Sequence, residues 1–225
     1  MRGYAIGLGA VLVISGCSAP TPAPPTGQAG GSDTRAVKVM NPAAVQRVQS
    51  DLPPGYEVTP LTDNAAPAGF WGMTAGWAAE PGQCAALADP GAGAPTHGWS
   101  ASGPGGIIHA VVAGPGTVAA IPSGCQAWTL RGGRTTATVT AVAAPDIPGM
   151  PTAAMSTVAT TVVEGGTETR SHADTAIAYP SPGYVVTVTV VTDPGSALPE
   201  LGPDVAGRLL RSATDEISGS AEPAG

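Results

Sequence analysis

The plainest covalent chemistry in the chain belongs to Ile14-Ser15-Gly16-Cys17. These residues close an apolar run, Tyr4 to Ile14, that follows the lone basic residue Arg2 and is too short to span a bilayer. The run reads as the apolar core of a secretory leader, residues 1–16, and Ser15 and Gly16 ahead of Cys17 match a lipoprotein processing site. The Cys17 sulfur would take a diacylglyceryl thioether, and cleavage would leave Cys17 as the first residue of the mature chain. Burial of acyl carbon contributes about 0.8 kcal/mol per CH₂, so a single chain such as palmitate tethers marginally whereas two or three tether durably. The expectation is a protein held by its N-terminal lipid on the extracytoplasmic face of the cell membrane. The competing reading is an ordinary leader with a coincidental cysteine.

With Cys17 committed to lipid, Cys84 and Cys125 remain as a pair in an oxidising compartment and are expected to form a disulfide. Such a bridge would stabilise the fold by about 3 to 4 kcal/mol in the chain-entropy account. A catalytic or metal-binding cysteine is the alternative, although neither residue sits in a Cys-x-x-Cys or Cys/His cluster.

Acid–base and nucleophilic chemistry has few carriers. The sequence has no Gly-x-Ser-x-Gly elbow, no His-Glu-x-x-His and no phosphate loop; Gly103-Pro104-Gly105-Gly106 lacks a following Lys and reads as a turn. His97, His109 and His172 could meet Asp89 or Asp174 around a metal, but their spacing fits no ligand set. A Ser/His/Asp trio can be assembled from Ser100 or Ser102, His109 or His172, and Asp89 or Asp174 only on paper. No catalytic residue, metal or cofactor is therefore assigned. The acids Glu164, Glu168, Asp174 and Asp193 read as solvated charge at strand ends and surfaces.

Trp71, Trp77, Trp99 and Trp128 are costly to leave in water, and their indole N–H groups need partners when buried. They either fill a core poor in Phe and Leu or, for Trp71, Trp77 and Trp99 together with His109, line a cleft where flat rings could stack on a ligand.

These residues need a scaffold. Residues 17–35, rich in Pro, Gly and Thr, cannot bury enough surface to offset the entropy of ordering and read as a disordered tether, of a composition compatible with glycosylation. Residues 36–220 have the length of a single domain with a sizeable core, and 221–225 read as a disordered tail. The net charge of −7, with Lys38 the sole lysine, argues against a nucleic-acid partner.

Asn41-Pro42 is a helix start, with Val45, Val48 and Leu52 near helical spacing and Pro53-Pro54 as the stop. Gly55 to Leu61 reads as a short extended piece, and Pro81 to Asp89 as a short helix carrying Cys84. Gly91 to Gly106, rich in Gly, Pro and Ser, reads as a long exposed loop carrying His97 and Trp99. Strands follow at Ile107 to Ala113, Gly124 to Leu130, Arg134 to Ala143, Met155 to Glu164, Thr167 to Tyr179 and Tyr184 to Thr192. Gly132-Gly133, Gly165-Gly166 and Pro180 to Gly183 are the turns between them, so the sheet is antiparallel. Asp204 is placed to cap a closing helix in which Val205, Leu209, Ala213 and Ile217 share a face, weakened at Gly207 and ended at Gly219. The expected fold is α+β, a twisted antiparallel sheet with helices packed on one face.

Asp51-Leu52-Pro53-Pro54-Gly55-Tyr56-Glu57-Val58, Phe70-Trp71-Gly72, Cys84, Cys125 and Glu164-Gly165-Gly166-Thr167-Glu168-Thr169 resemble an uncharacterised family of mycobacterial lipoproteins. That family is similar to the extracellular sensor domain of a mycobacterial transmembrane serine/threonine kinase, and the resemblance covers most of residues 36–220. It implies a compact α+β domain with a ligand-binding cleft. It also departs from the kinase sensor, which has two disulfides where this chain can form only Cys84 to Cys125. The function expected is a non-enzymatic, lipid-anchored binding or sensor-like module of the cell envelope that takes a small envelope ligand or docks an envelope protein. The alternative is a hydrolase acting on cell-wall or lipid substrates.

Overall fold

Strand propensity dominates from residue 96 onward, and the computed structural model, which describes residues 39–61, 65–192, 198–199 and 201–219, gathers nine strands into one sheet. They are β1 (Glu57–Leu61), β2 (Ala78–Glu80), β3 (Thr96–Gly103), β4 (Gly106–Ala113), β5 (Ala127–Gly132), β6 (Thr135–Ala141), β7 (Thr152–Val162), β8 (Glu168–Ser181) and β9 (Tyr184–Thr192). Every pairing is antiparallel, in the spatial order β1-β3-β4-β9-β8-β7-β6-β5-β2. The helices are α1 (Pro67–Phe70), α2 (Ala85–Ala88) and α3 (Pro203–Gly219), with a long 3-10 helix at Pro42–Asp51.

The expected strands and turns are present. The long loop is not: its second half is β3, paired along its whole length with β4, and Trp99 is wholly buried. Trp99 and Ala101 point into the core while Ser100 and Ser102 point away, so the alternation of a strand was present beneath a loop-like composition. The turn at Gly103 to Gly106 closes this hairpin, and Gly106 sits at φ +150 where a Cβ would lie 2.2 Å from the Val191 carbonyl oxygen, a position open only to glycine.

Helices cover both faces of the sheet, not one. On the first face, the α3 face, Val205, Leu209, Leu210, Ala213 and Ile217 pack with Val45 and Val48 of the 3-10 helix onto Trp99, Ile108, Val188 and Val190. On the opposite, disulfide face, α1, α2 and their loops cover Leu130, Val139, Met155 and Ile177 with Trp71, Leu87 and Cys84. The reason lies in β9: Val186, Val188 and Val190 are buried on one side, and Thr187 and Thr189 are buried on the other. A strand buried on both sides needs cover on both. The threonine side is reconciled with burial by hydrogen bonds, Thr189 to Thr175 at 3.0 Å and the Trp71 indole N–H donating to Thr175 at 3.1 Å.

Helix starts differ from the expected form. Pro42 opens a 3-10 helix, whose three-residue repeat puts Val45 and Val48 on one side, and the Asn41 side chain makes no capping bond. The α3 helix begins at Pro203, so Asp204 lies inside its first turn, where its carboxylate pairs with Arg208. The segment after Pro81 is a 3-10 turn, Gly82–Cys84, running into α2. Cys84 and Cys125 are bonded, 41 residues apart in sequence with Cα atoms 5.7 Å apart, and tie this turn to the start of β5. The leader, Cys17, the tether, Asp193 and residues 221–225 lie outside the described residues.

Candidate groove between the closing helix and the open sheet

The α3 face is only half covered. Over β3, β4, β9 and β8 lie α3 and the 3-10 helix, but β5, β6 and β7 present Thr136, Thr138, Thr140, Val158 and Thr160 with nothing packed on them among the described residues. Where cover ends, a groove of about 490 Å³ runs between α3 and the sheet. Its walls are small or apolar, Ala154 and Ala176 below, Ala206 and Gly207 on the helix, Val142 and Pro145 on the loop joining β6 to β7. That loop is fixed by Thr152 donating to the Pro145 carbonyl at 2.9 Å and by Ile147, buried in the α3 core. Arg211 reaches the Asp146 carbonyl at 3.4 Å.

Polar groups stand at both ends of this groove. At the rim are Arg211 and the Asp204–Arg208 pair. At the floor is Asp174, whose side chain is 9% exposed. Asp174 is therefore not the solvated acid its strand position implied. Its nearest polar neighbour is His172, Nε2 to Oδ1 at 3.5 Å, and the same nitrogen lies 2.8 Å from the Ser156 hydroxyl. Ser156 sits directly across the β7–β8 ladder from Asp174, and His172 is two residues along, so the three share one face.

A Ser/His/Asp trio thus exists, built on Ser156 rather than Ser100 or Ser102. Both oxygens approach the same imidazole nitrogen. A relay needs the carboxylate on the far nitrogen, where it fixes the tautomer while the near nitrogen takes the serine proton. Here Asp174 competes with Ser156, and the backbone N–H groups of the described residues around them are engaged in the sheet ladder rather than aimed at a developing oxyanion. The cluster is suited to holding a ligand's hydroxyl or amine and lacks the arrangement for acyl transfer.

The aromatic cleft is not formed. Trp99 lies on the α3 face, donating to the Val45 carbonyl at 2.9 Å, whereas Trp71 and His109 lie across the sheet on the disulfide face. Trp71 is buried edge-on to Trp128 at 6.1 Å. Trp77 is half-buried over Gly132, where a Cβ would come within 2.8 Å of its side chain. His109 is stacked on Phe70, centroids 3.9 Å apart, and burial lowers its pKa to about 4. The histidines are likewise dispersed: His97 is exposed on β3, His109 half-buried on the opposite face, His172 at the groove. No group of three or more His, Cys, Asp or Glu able to hold a metal occurs among the described residues. Ser100 faces His109 across the ladder without a hydrogen bond, and Asp89 ends α2 beside a 30 Å³ cavity, its pKa raised by burial.

Sequence reasoning missed Ser156, Arg208 and Arg211. The spacing of His172 and Asp174, two apart on a strand, was the available signal for a shared face; Ser156 joins them only through register, which no local pattern encodes.

The family described as "Domain of unknown function (DUF5642)" matches residues 41–218. Among solved structures, an uncharacterized protein from Mycobacterium smegmatis, the Rv0999 ortholog, superposes with a TM-score of 0.60 at 18% identity, over 80% of this chain and 98% of that one. At that identity the likeness is one of fold. No curated protein matches the chain. Neither the family nor this neighbour indicates an enzyme.

Proposed function

The chain belongs to the DUF5642 family, and from that premise we propose that it is a lipid-anchored, extracytoplasmic binding module whose ligand site is the groove under α3. The observation that carries this reading is the groove itself: small apolar walls, a nearly buried carboxylate at its floor and an arginine at its rim. Concave sites of this volume, mostly apolar with a few convergent polar groups, are where small molecules bind. Asp174 and His172 would take hydroxyl or amine donors, Arg211 an anionic group, and the apolar walls the body of an amphipathic envelope-derived molecule. The sensor-like character suggested by the resemblance to a kinase ectodomain fits a site that binds without turning over. Export rests on Ile14-Ser15-Gly16-Cys17 and agrees with the Cys84–Cys125 bridge, a bond typical of oxidising compartments.

Gly207 supplies the test of the groove. It faces Pro145, and a Cβ there would meet it at 3.7 Å, so a leucine side chain would fill the space without crossing the core. Full-length protein taken from its native envelope should release a small molecule into organic extract, and Gly207→Leu should release none. Equal recovery from both, or none from the unaltered protein, would count against the groove. Anchoring is checked separately, by the mass of the N-terminal peptide: a diacylglyceryl group on Cys17 is expected, and an unmodified Cys17 sinks it.

A further inference from the structure

The bare part of the α3 face has an order of its own, away from the groove. The register of β5 through β8 places Arg131 opposite Thr136, Thr136 opposite Thr160, and Thr160 opposite Arg170. This is one straight row across the strands, capped at both ends by guanidinium groups. Arg134 lies at the next rung, beside Val162. We propose that this row is a binding surface for an acidic glycan, a polyhydroxylated chain with repeated anionic groups, laid across the strands from Arg131 to Arg170.

Charge placement supports the assignment. The molecule as a whole carries −7, yet Arg131, Arg134 and Arg170 stand on this bare surface and Arg208 and Arg211 line the groove beside it, while Arg47, on the 3-10 helix, pairs with Glu216. Arg131, Arg134 and Arg170 are exposed and form no ion pair with a described residue, although Glu168, two residues from Arg170, lines the same hollow and Glu80 stands at its β2 edge. A guanidinium grips carboxylate or phosphate with two parallel hydrogen bonds, and arginines left uncommitted among acids are available to do so.

Between the arginines the surface offers hydroxyls. Thr136, Thr138 and Thr160 project outward while Ala137, Val139 and Ala159 are buried on the opposite side. Threonine hydroxyls both donate and accept, matching the hydroxyls of a sugar. Strands about 4.8 Å apart put the two ends of the row about 14 Å apart, a span suited to several sugar units and too wide for a single small anion. No tryptophan lies on this part of the face, so an uncharged sugar has no ring to stack on, nor do the bases of a nucleic acid.

The test is titration calorimetry on the full chain in detergent, with trigalacturonate as probe. We expect binding at least tenfold tighter than for galacturonate alone, weakened by salt and weakened at least tenfold by Arg131→Gln with Arg170→Gln. Arg47→Gln should leave it unchanged. All three positions are exposed, and circular dichroism checks that the fold survives. Failure of trigalacturonate to bind, equal affinity for galacturonate, glycerol phosphate or neutral maltotriose, or full retention in the double variant would each overturn the proposal. None of these results bears on the groove, whose test uses Gly207.

Discussion

His109 shows how a single side chain can be chemically conspicuous and yet serve packing. Burial between β4 and α1, with Phe70 stacked on its ring, lowers its pKa from 6.5 to about 4. Between those values the unfolded chain binds a proton that the folded one refuses, so stability is complete above pH 6.5 and falls as the pH drops toward 4. The loss is on the order of 3 kcal/mol at most. Urea denaturation at pH 7 and pH 4.5 should show this slope in the unaltered protein and a flatter one in His109→Gln. Trp99 is a second case: fully buried, its indole N–H satisfied by Val45, it holds the 3-10 helix on the sheet. Replacing it by phenylalanine removes that bond and leaves a gap, and should cost about 2 to 3 kcal/mol by the same denaturation, with the groove ligand retained.

Elements were legible where side chains spoke with one period. The β6 sequence alternates Thr with Ala and Val, and its burial alternates in step. The α3 helix repeats Val205, Leu209, Ala213 and Ile217, all buried. Gly and Ser hid β3, because strand formation there is decided by its long pairing with β4 rather than by propensity. The burial of Thr189 in β9 was not legible locally for a different reason: it is polar, and its partner inside is Thr175 of the neighbouring strand, which also accepts from the Trp71 indole. Gly207 is the weak point of α3, and the space beside it admits a methyl group at ordinary contact distance from Pro145. Gly207→Ala should therefore raise stability by about 0.5 to 1 kcal/mol, read as a higher denaturation midpoint. The disulfide acts between elements: Cys84→Ser with Cys125→Ser frees a 41-residue loop and should cost about 2 to 4 kcal/mol, with a folded but less stable protein under reducing conditions as the parallel observation.

At the scale of the molecule, the sheet is protected unevenly, and this follows from where its two cores lie. Strands β4 and β9 and the middle of β8, from Ala173 to Ala178, contribute to both cores and are covered on both sides. Strands β5 and β6 contribute to the disulfide side alone, and their other side is the threonine and arginine surface. The local pattern of β6 announced a half-open strand, but the existence of a bare platform beside a groove depends on where α3 stops covering the sheet, a fact of tertiary packing that no single segment holds. Amide exchange depends on how much buried contact an opening must break. Amides in β4 and β9 should therefore exchange only through global unfolding, while those in β5 and β6 exchange through smaller openings that leave the α3 core intact. Exchange followed by mass spectrometry should place β5 and β6 peptides ahead of β9 peptides by at least tenfold in rate. An acidic glycan bound along the Arg131 to Arg170 row should slow the first group and leave the second unchanged. Uniform protection across all nine strands would mean that the open half gains its stability from something other than the two cores described.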